Sequence, residues 1–318
     1  MYQKQTDIFK EKEIGQTYQI TGKITSFNKG DNFHNVNVLI PENTCVNIKL
    51  DKNYQNIIVD KIYIFQVIFL LKNDKNIFLC QKIDPIEDVL NLQRIYELYF
   101  HFFTCAPLSF DAIAALIEKF LSIIKNPILK RITFNLYTKN KQKFLISPAA
   151  FKMHHNYYGG LGYHTTNMLK IAELLSPMYP CLNVDLLYSG IILHDMFKIQ
   201  EFDFTQKNYT KEGILLGHLI LGVNHIHEEA VLLNVQNQEE ILLLKHLIIS
   251  HHGLLEYGAF KKPQTSEAFL LWHLDNIDAK LTVLKEILEK TDKGDFSDPL
   301  AILEKKCFYK PDLTIIPE

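Results

Sequence analysis

Leu186-Leu187-Tyr188-Ser189-Gly190-Ile191-Ile192-Leu193-His194-Asp195 is the stretch on which the fold turns. It reads as an apolar helix that carries an imidazole and a carboxylate at its end, inside the protein. Groups of that kind are costly to bury unless they are paired or bound to a metal. A hydrogen-bonded His-Asp pair meets that demand, and so does a cation. Three residues further on, Lys198 falls on the same helical face. An ammonium there can hold a substrate phosphate or a leaving oxygen, or simply face solvent.

Outward from this stretch the same residue types recur in apolar, helical surroundings. His164 follows Gly159-Gly160-Leu161-Gly162-Tyr163 and leads into an amphipathic segment with Leu169, Ile171, Ala172 and Leu175 as its buried stripe. Its expected place is the first turn of that helix. His218 lies in Leu215-Leu216-Gly217-His218-Leu219-Ile220-Leu221-Gly222, where the flanking glycines allow close approach. His251-His252 close the apolar run 241–250 and precede Gly253, so both rings belong at a helix end that opens into a loop. Adjacent helical residues diverge by about 100°, so a single ion need not take both. Asp275 and Asp278 stand three apart on one helical face, Asp275 as the primary ligand and Asp278 as its outer partner or its alternative. His101, His225, His227, His246 and His273 lack such company and read as structural or exposed, while His154-His155 precede the glycine run and border the cleft. Neutral imidazole with carboxylate is the ligand set of a hydrolytic transition-metal site, so the C-terminal half reads as a helical metallo-phosphohydrolase.

The N-terminal segment has a different period. Residues 17–27, 36–40, 45–50, 62–71 and 77–83 are β-type runs, separated by polar turns such as Asn28-Lys29-Gly30-Asp31-Asn32 and Lys72-Asn73-Asp74-Lys75-Asn76. Five short strands predict a small antiparallel barrel, and an oligonucleotide-binding (OB) barrel has that strand count. A β-domain used for packing or oligomer contacts is the alternative. From Glu87 the spacing becomes helical, with start signals at Ser109 and Asp111 and a stop at Asn126-Pro127. The expected division is a barrel over 1–85, a helical linker over 86–147, a phosphohydrolase domain over 148–291, and an appendage over 292–318 whose Pro311 and Pro317 make it an unlikely source of catalytic groups.

Bulk properties bound the function loosely. The 318 residues are 47% hydrophobic and 22% charged, with a formal net charge of -2. No global basic field advertises nucleic acid, so any grip on it must be local or assisted by metal. Cys45, Cys80, Cys105, Cys181 and Cys307 form no CxxC pair, which argues for reduced thiols in a cytoplasm and against a disulfide scaffold. The polar start predicts no secretory leader, and the apolar runs are too short for a membrane helix.

The order His164, His194-Asp195, His218, His251-His252, Asp275, with Lys198 completing His194-Asp195-Met196-Phe197-Lys198, resembles the HD superfamily of metal-dependent phosphohydrolases in its two-metal version. A closer resemblance is to the YhaM-type 3′-to-5′ exoribonucleases. It is carried by His154-His155-Asn156-Tyr157-Tyr158-Gly159-Gly160-Leu161, Leu215-Leu216-Gly217-His218, Ser250-His251-His252-Gly253-Leu254-Leu255-Glu256-Tyr257-Gly258 and Asp275-Asn276-Ile277-Asp278-Ala279-Lys280. The likeness covers residues 145–285 and extends to the N-terminal third in architecture. It implies a multidomain β plus all-α fold, a small OB-like barrel followed by an all-helical HD domain.

The resemblance also implies a chemistry. His164, His194, Asp195 and Asp275 would hold one divalent ion, and His218, His251 and His252 with a bridging Asp195 would hold a second. Asp195 and Lys198 would be the catalytic pair, Lys198 countering charge on the phosphate. Two ions about 3.5–4 Å apart activate water and neutralise a departing oxygen. Manganese follows from the resemblance, with iron, cobalt, nickel, zinc and magnesium as alternatives. Single-stranded RNA, or single-stranded DNA, would run from a barrel platform with lysines such as Lys23, Lys29, Lys49 and Lys52 and be trimmed from its 3′ end to nucleoside 5′-monophosphates. The aromatics Phe27, Phe33, Tyr54 and Phe69 have no assignable stacking role. No membrane partner is expected, and the resemblance points to a homo-oligomer. The rival readings are an HD phosphodiesterase acting on cyclic (di)nucleotides or free nucleotides, and a non-catalytic single-strand-binding protein.

Overall fold

The computed structural model describes residues 12–54, 57–72, 75–150, 156–204, 208–300 and 303–313, which fall into two compact units, Met1–Thr104 and Cys105–Glu318. In the first, β1 (Thr17–Asn28), β2 (His34–Leu39), β3 (Cys45–Leu50), β4 (Ile62–Lys72) and β5 (Lys75–Pro85) close in the order β1-β2-β3-β5-β4 and back to β1. All five expected strands are present. Every seam is antiparallel except β3 with β5, which run parallel through Ile48–Phe78 and Lys49–Leu79. The expected all-antiparallel barrel is corrected there, because directions cannot alternate around a closed ring of odd strand number.

Period-2 alternation builds the barrel's core. Val36 and Val38, Val46, Ile48 and Leu50, and Phe65, Val67 and Phe69 all point inward, joined by Ile24 and Phe78. β1 serves two neighbours, pairing with β4 over residues 17–23 and with β2 over 23–28, and a register shift between Ile24 and Ser26 bends it between them. β2 begins at His34, two residues before the apolar run, since His34 is buried with its ring edge-on to Phe27 at 5.2 Å.

The stretch 86–147, expected as one linker, is divided between the units. α1 (Ile86–Val89) and α2 (Leu92–Phe102) belong to the first, where α1 packs on β4 and β5 and buries Ile86. α3 (Phe110–Ile123) and α4 (Pro127–Ile146) belong to the second. Their apolar faces, including Phe110, Ile113, Ile117, Phe120, Leu129 and Ile132, pack on α5 (Gly160–Leu175) and α6 (Val184–Leu193). Ser109 starts α3 as expected, accepting from Ala112 N; α3 already ends at Ile123, and Asn126-Pro127, read as its stop, instead begins α4, with Asn126 Oδ1 accepting from Ile128 N and Leu129 N.

The second unit continues with α7 (Lys198–Glu201), the short β6 (Phe202–Asp203) and β7 (Asn208–Tyr209), α8 (Lys211–Leu232), α9 (Glu239–Ser250) and α10 (Ser266–Lys290). α6 lies at its centre, against α3, α4, α5, α9 and α10, and every residue from Leu186 to Leu193 is buried. That all-round burial explains why its sequence is apolar without a polar face. Beyond α10, the described residues 292–300 and 303–313 pair with each other through bridges Phe296–Tyr309 and Leu300–Lys306. Among the described residues no helix is long and apolar enough to cross a membrane.

Candidate metal centre

His194 is the C-cap of the central helix α6, and Asp195 follows it, so the quoted stretch delivers both side chains to the middle of the second unit. Both are buried. His164 enters from α5, His218 from α8, His251 and His252 from the end of α9, and Asp275 from α10. His164 sits in the second turn of α5 rather than the first, because the glycine run that looked like an approach loop is itself helical from Gly160 onward.

Four imidazoles are anchored through Nδ1. His194 Nδ1 donates to Ile191 O and His251 Nδ1 to Ile248 O, both at 2.8 Å; a carbonyl only accepts, so Nδ1 carries a hydrogen and Nε2 is the nitrogen left to face the centre. The other two meet carboxylates, His164 Nδ1 with Asp278 Oδ2 at 2.6 Å and His218 Nδ1 with Glu201 Oε2 at 2.8 Å. Asn167 Nδ2 donates to the second Asp278 oxygen at 3.0 Å. Asp278 is therefore the outer partner of His164, while Asp275 Oδ1 lies 3.2 Å from the opposite ring nitrogen, Nε2.

The Nε2 atoms converge on Asp195. Its Oδ1 is 3.3 Å from His218 Nε2 and 3.5 Å from His251 Nε2; its Oδ2 is 3.4 Å from His194 Nε2 and 2.6 Å from Lys198 Nζ. The donor atoms of His164, His194 and Asp195 lie within 4.8 Å of one another, as do those of His218, His251 and His252. Asp195 thus stands between two donor groups, one carboxylate oxygen toward each.

The residues fit a pair of cations. His194 Nε2, His218 Nε2, His251 Nε2 and Asp195 Oδ1 are buried and make no hydrogen bond, a costly arrangement for polar atoms in an interior. Their separations are also long for hydrogen bonds. Two ligands at about 2.1 Å from one metal, subtending roughly 90–110°, stand about 3.0–3.4 Å apart, close to the 3.3–3.5 Å between Asp195 and the three Nε2 atoms.

Electrostatics point the same way. Burial works against ionised Asp195, but Lys198 and then His194 outweigh it and hold the carboxyl well below the usual carboxylate range. Burial likewise opposes charge on Lys198 and on Asp275, yet Asp195 raises the former and His164 lowers the latter. Burial, reinforced by His251 and His218, drives His252 down to about 2, and burial also lowers His251. Those two rings are neutral and ready to donate to a cation. His164 differs: burial pushes it down, but Asp275 and Asp278 together carry it up to about 10.

Of the anticipated residues, His164, His194, Asp195, Lys198, His218, His251, His252 and Asp275 all come together. His154 and His155 lie outside the described residues. His225 stacks on Phe197 at 4.4 Å and meets Gln200, and His246 accepts from Gln264 N, as befits structural histidines. Glu201 was not anticipated. Its only sequence signal is the spacing Asp195, Lys198, Glu201, one step of three beyond the predicted pair.

On the barrel, Asn32, Phe33, Asn35, Lys49, Lys72 and Lys75 line a groove of about 600 Å³, with Lys72 Nζ 6.0 Å from the Phe33 ring centroid. Lys49 is the one anticipated platform lysine that reaches it. Lys23 is engaged elsewhere, with Asp60 at 3.9 Å and over the Phe103 ring. Phe69 is a core residue, Phe27 and Tyr54 pack against the core, and Phe33 is left as the groove's aromatic.

An apolar central helix ending in His-Asp, ringed by imidazoles from three other helices and a carboxylate from a fourth, defines an HD domain, a divalent-metal-binding fold, and the HD domain family model matches residues 161–280. The chain is also similar to relatives named 3′-5′ exoribonuclease YhaM. Identity is 41% with that of Geobacillus sp. (strain WCH70), 39% with that of Bacillus subtilis (strain 168) and 43% with that of Shouchella clausii (strain KSM-K16), each over 211 residues and 66% of this chain. The chain belongs to this YhaM family. The matched stretch spans 65%, 67% and 66% of those three relatives, about two thirds of their length. A solved replication protein A heterotrimer bound to ssDNA covers 28% of this chain and 67% of its own, at 10% identity and a TM-score of 0.22, too low to define a common fold.

Proposed function

We propose that this chain is a divalent-metal-dependent 3′-5′ exoribonuclease that trims single-stranded RNA to nucleoside 5′-monophosphates. The observation that carries the reading is the pair of donor groups meeting at Asp195 in a chain of the YhaM family. His164, His194, Asp195 and Asp275 would hold one cation; His218, His251 and His252, with Asp195 shared, would hold the other. When bound, such a pair would supply an activated water and offset charge on the leaving oxygen. The mixed imidazole and carboxylate donors favour manganese over magnesium, which prefers all-oxygen coordination.

The chain's own groups do the rest. Lys198 spends one of its three N–H donors on Asp195 Oδ2 and keeps two for a non-bridging phosphate oxygen. The barrel groove would grip the single strand, its lysines on phosphates and Phe33 against a base. In this reading residues 1–85 bind RNA and 148–291 carry the hydrolytic centre, with the helices of 86–147 divided between the two units and 292–318 appended. A cytoplasmic location is supported by five free cysteines, and homo-oligomeric assembly is carried by the family resemblance.

The test is a 5′-labelled single-stranded RNA incubated with Mn²⁺, with single-stranded DNA and cyclic di-AMP in parallel. A ladder shortening from the 3′ end, with release of nucleoside 5′-monophosphates, is expected for RNA. Intact RNA beside hydrolysed cyclic di-AMP would overturn the reading. Replacing Lys49, Lys72 and Lys75 together by alanine should raise KM for RNA and flatten its log–log salt dependence by about 2, at ~0.7 per phosphate lost. Turnover of bis(p-nitrophenyl) phosphate, too small to need the groove, should not change.

A further inference from the structure

Two of the four Nδ1 anchors are backbone carbonyls, fixed by the helix itself, but His218 depends on a side chain from another element. Glu201 closes the single turn of α7 and is only 8% exposed. Its main chain is pinned at both ends, N–H to Phe197 O at 3.1 Å and C=O from Thr210 N at 3.0 Å. α8 is shaped around it. A Cβ on Gly213 would lie 2.1 Å from Glu201 O, so only glycine allows α8 this close to α7. Gly217, at φ 70° and ψ 162°, then breaks the helix one residue before His218 and lies beside the Glu201 carboxylate, a Cβ there falling 3.7 Å from Oε1. An ordinary helix does not adopt that conformation, and its result is to set His218 Nδ1 on Glu201 and Nε2 on Asp195.

We propose that Glu201 is a positioning residue that fixes His218 in its Nδ1–H form and thereby sets how tightly the His218, His251 and His252 group holds its cation. The inference rests on the two-cation reading above. A carboxylate on the far nitrogen of a metal-binding imidazole fixes its tautomer and strengthens it as a donor, and losing such a partner costs about 10–100-fold in metal affinity. The Glu201 carboxylate meets His218 at 2.8 Å, whereas on the His164, His194 and Asp275 side of the centre Asp278 plays the corresponding part for His164. Loss of the Glu201 carboxylate should therefore separate the two cations, weakening one and sparing the other.

Metal-free full-length protein titrated with Mn²⁺ by calorimetry, with Glu201→Gln and Glu201→Ala beside the native chain, tests this directly. The native protein should take up two ions. Both variants should keep one at native affinity and bind the second about 10–100-fold more weakly, with Gln, which retains an acceptor oxygen, the milder. The Mn²⁺ dependence of RNA trimming should shift to higher metal by the same factor, with excess Mn²⁺ restoring the rate and KM for RNA unchanged. A residue acting only on stability would lower the melting temperature without moving the metal curve. Two ions held at native affinity by both variants, whatever their melting temperatures, would overturn the assignment. A native protein that binds fewer than two ions would instead overturn the two-cation reading itself.

Discussion

Asp195→Asn is expected to leave a folded protein whose RNA trimming falls by about 10²–10³-fold, the scale lost when one preorganised charge-stabilising group is removed from an active centre. The substitution preserves volume, so packing around α6 should hold. What changes is the distribution of donors. The carboxylate presents Oδ1 to His218 and His251, and Oδ2 to His194 and Lys198. Asparagine keeps one acceptor and turns an NH₂ group toward the other side, so one donor group must face N–H donors where it had a negative oxygen. Lys198 also loses the partner that keeps it charged despite burial. A buried ammonium without its counter-charge is costly, which should show as a lower melting temperature. Single-turnover trimming and elemental analysis of bound metal are the measurements. More than about a tenth of the native rate, with full metal content, would mean that Asp195 is not the shared ligand.

The centre was legible because its ligands break a rule of composition: imidazoles and carboxylates sit in runs such as 186–193 and 241–250 that are otherwise built for burial. Each could be found alone. What holds each ring could not, since Glu201 and His218 are seventeen residues apart and meet only because α8 breaks at Gly217. A polar residue in an ordinary stretch such as Lys198-Ile199-Gln200-Glu201 carries no mark of that role beyond its step of three from Lys198. Asp278 was easier, because it shares a helical face with Asp275, though only geometry distinguishes the residue behind His164 from the one in front. In the barrel, alternation located the strands, whereas the parallel β3–β5 seam is a long-range pairing with no local signature. The apolar faces of α2 and α3 look alike in sequence, yet they belong to different units.

Removing divalent metal should abolish trimming and soften the second unit at once, because a ligand bound only by the native state adds RT ln(1 + [L]/Kd), about 4.1 kcal/mol at a thousandfold excess over Kd. For a unit of 214 residues that is a rise of roughly 8–16 °C in melting temperature on returning Mn²⁺ to chelated protein. The gain should depend on pH in a definite direction. In metal-free protein Asp275 and Asp278 outweigh burial and raise His164 to about 10. A folded-state pKa above the unfolded value, near 6.5, makes the proton on His164 a stabilising partner of the metal-free centre. That contribution is complete below about pH 6.5 and is lost as pH rises through about 10. Cation and proton compete for the same Nε2, so metal affinity should climb with pH across this interval, with about one proton released from His164 on binding. His251 and His252, already neutral, release none. Calorimetry in buffers of different ionisation enthalpy would register the proton, and differential scanning fluorimetry with chelator and with Mn²⁺ would register the shift. Equal melting temperatures in both, with trimming that persists under chelation, would mean that the buried imidazoles balance one another without a cation.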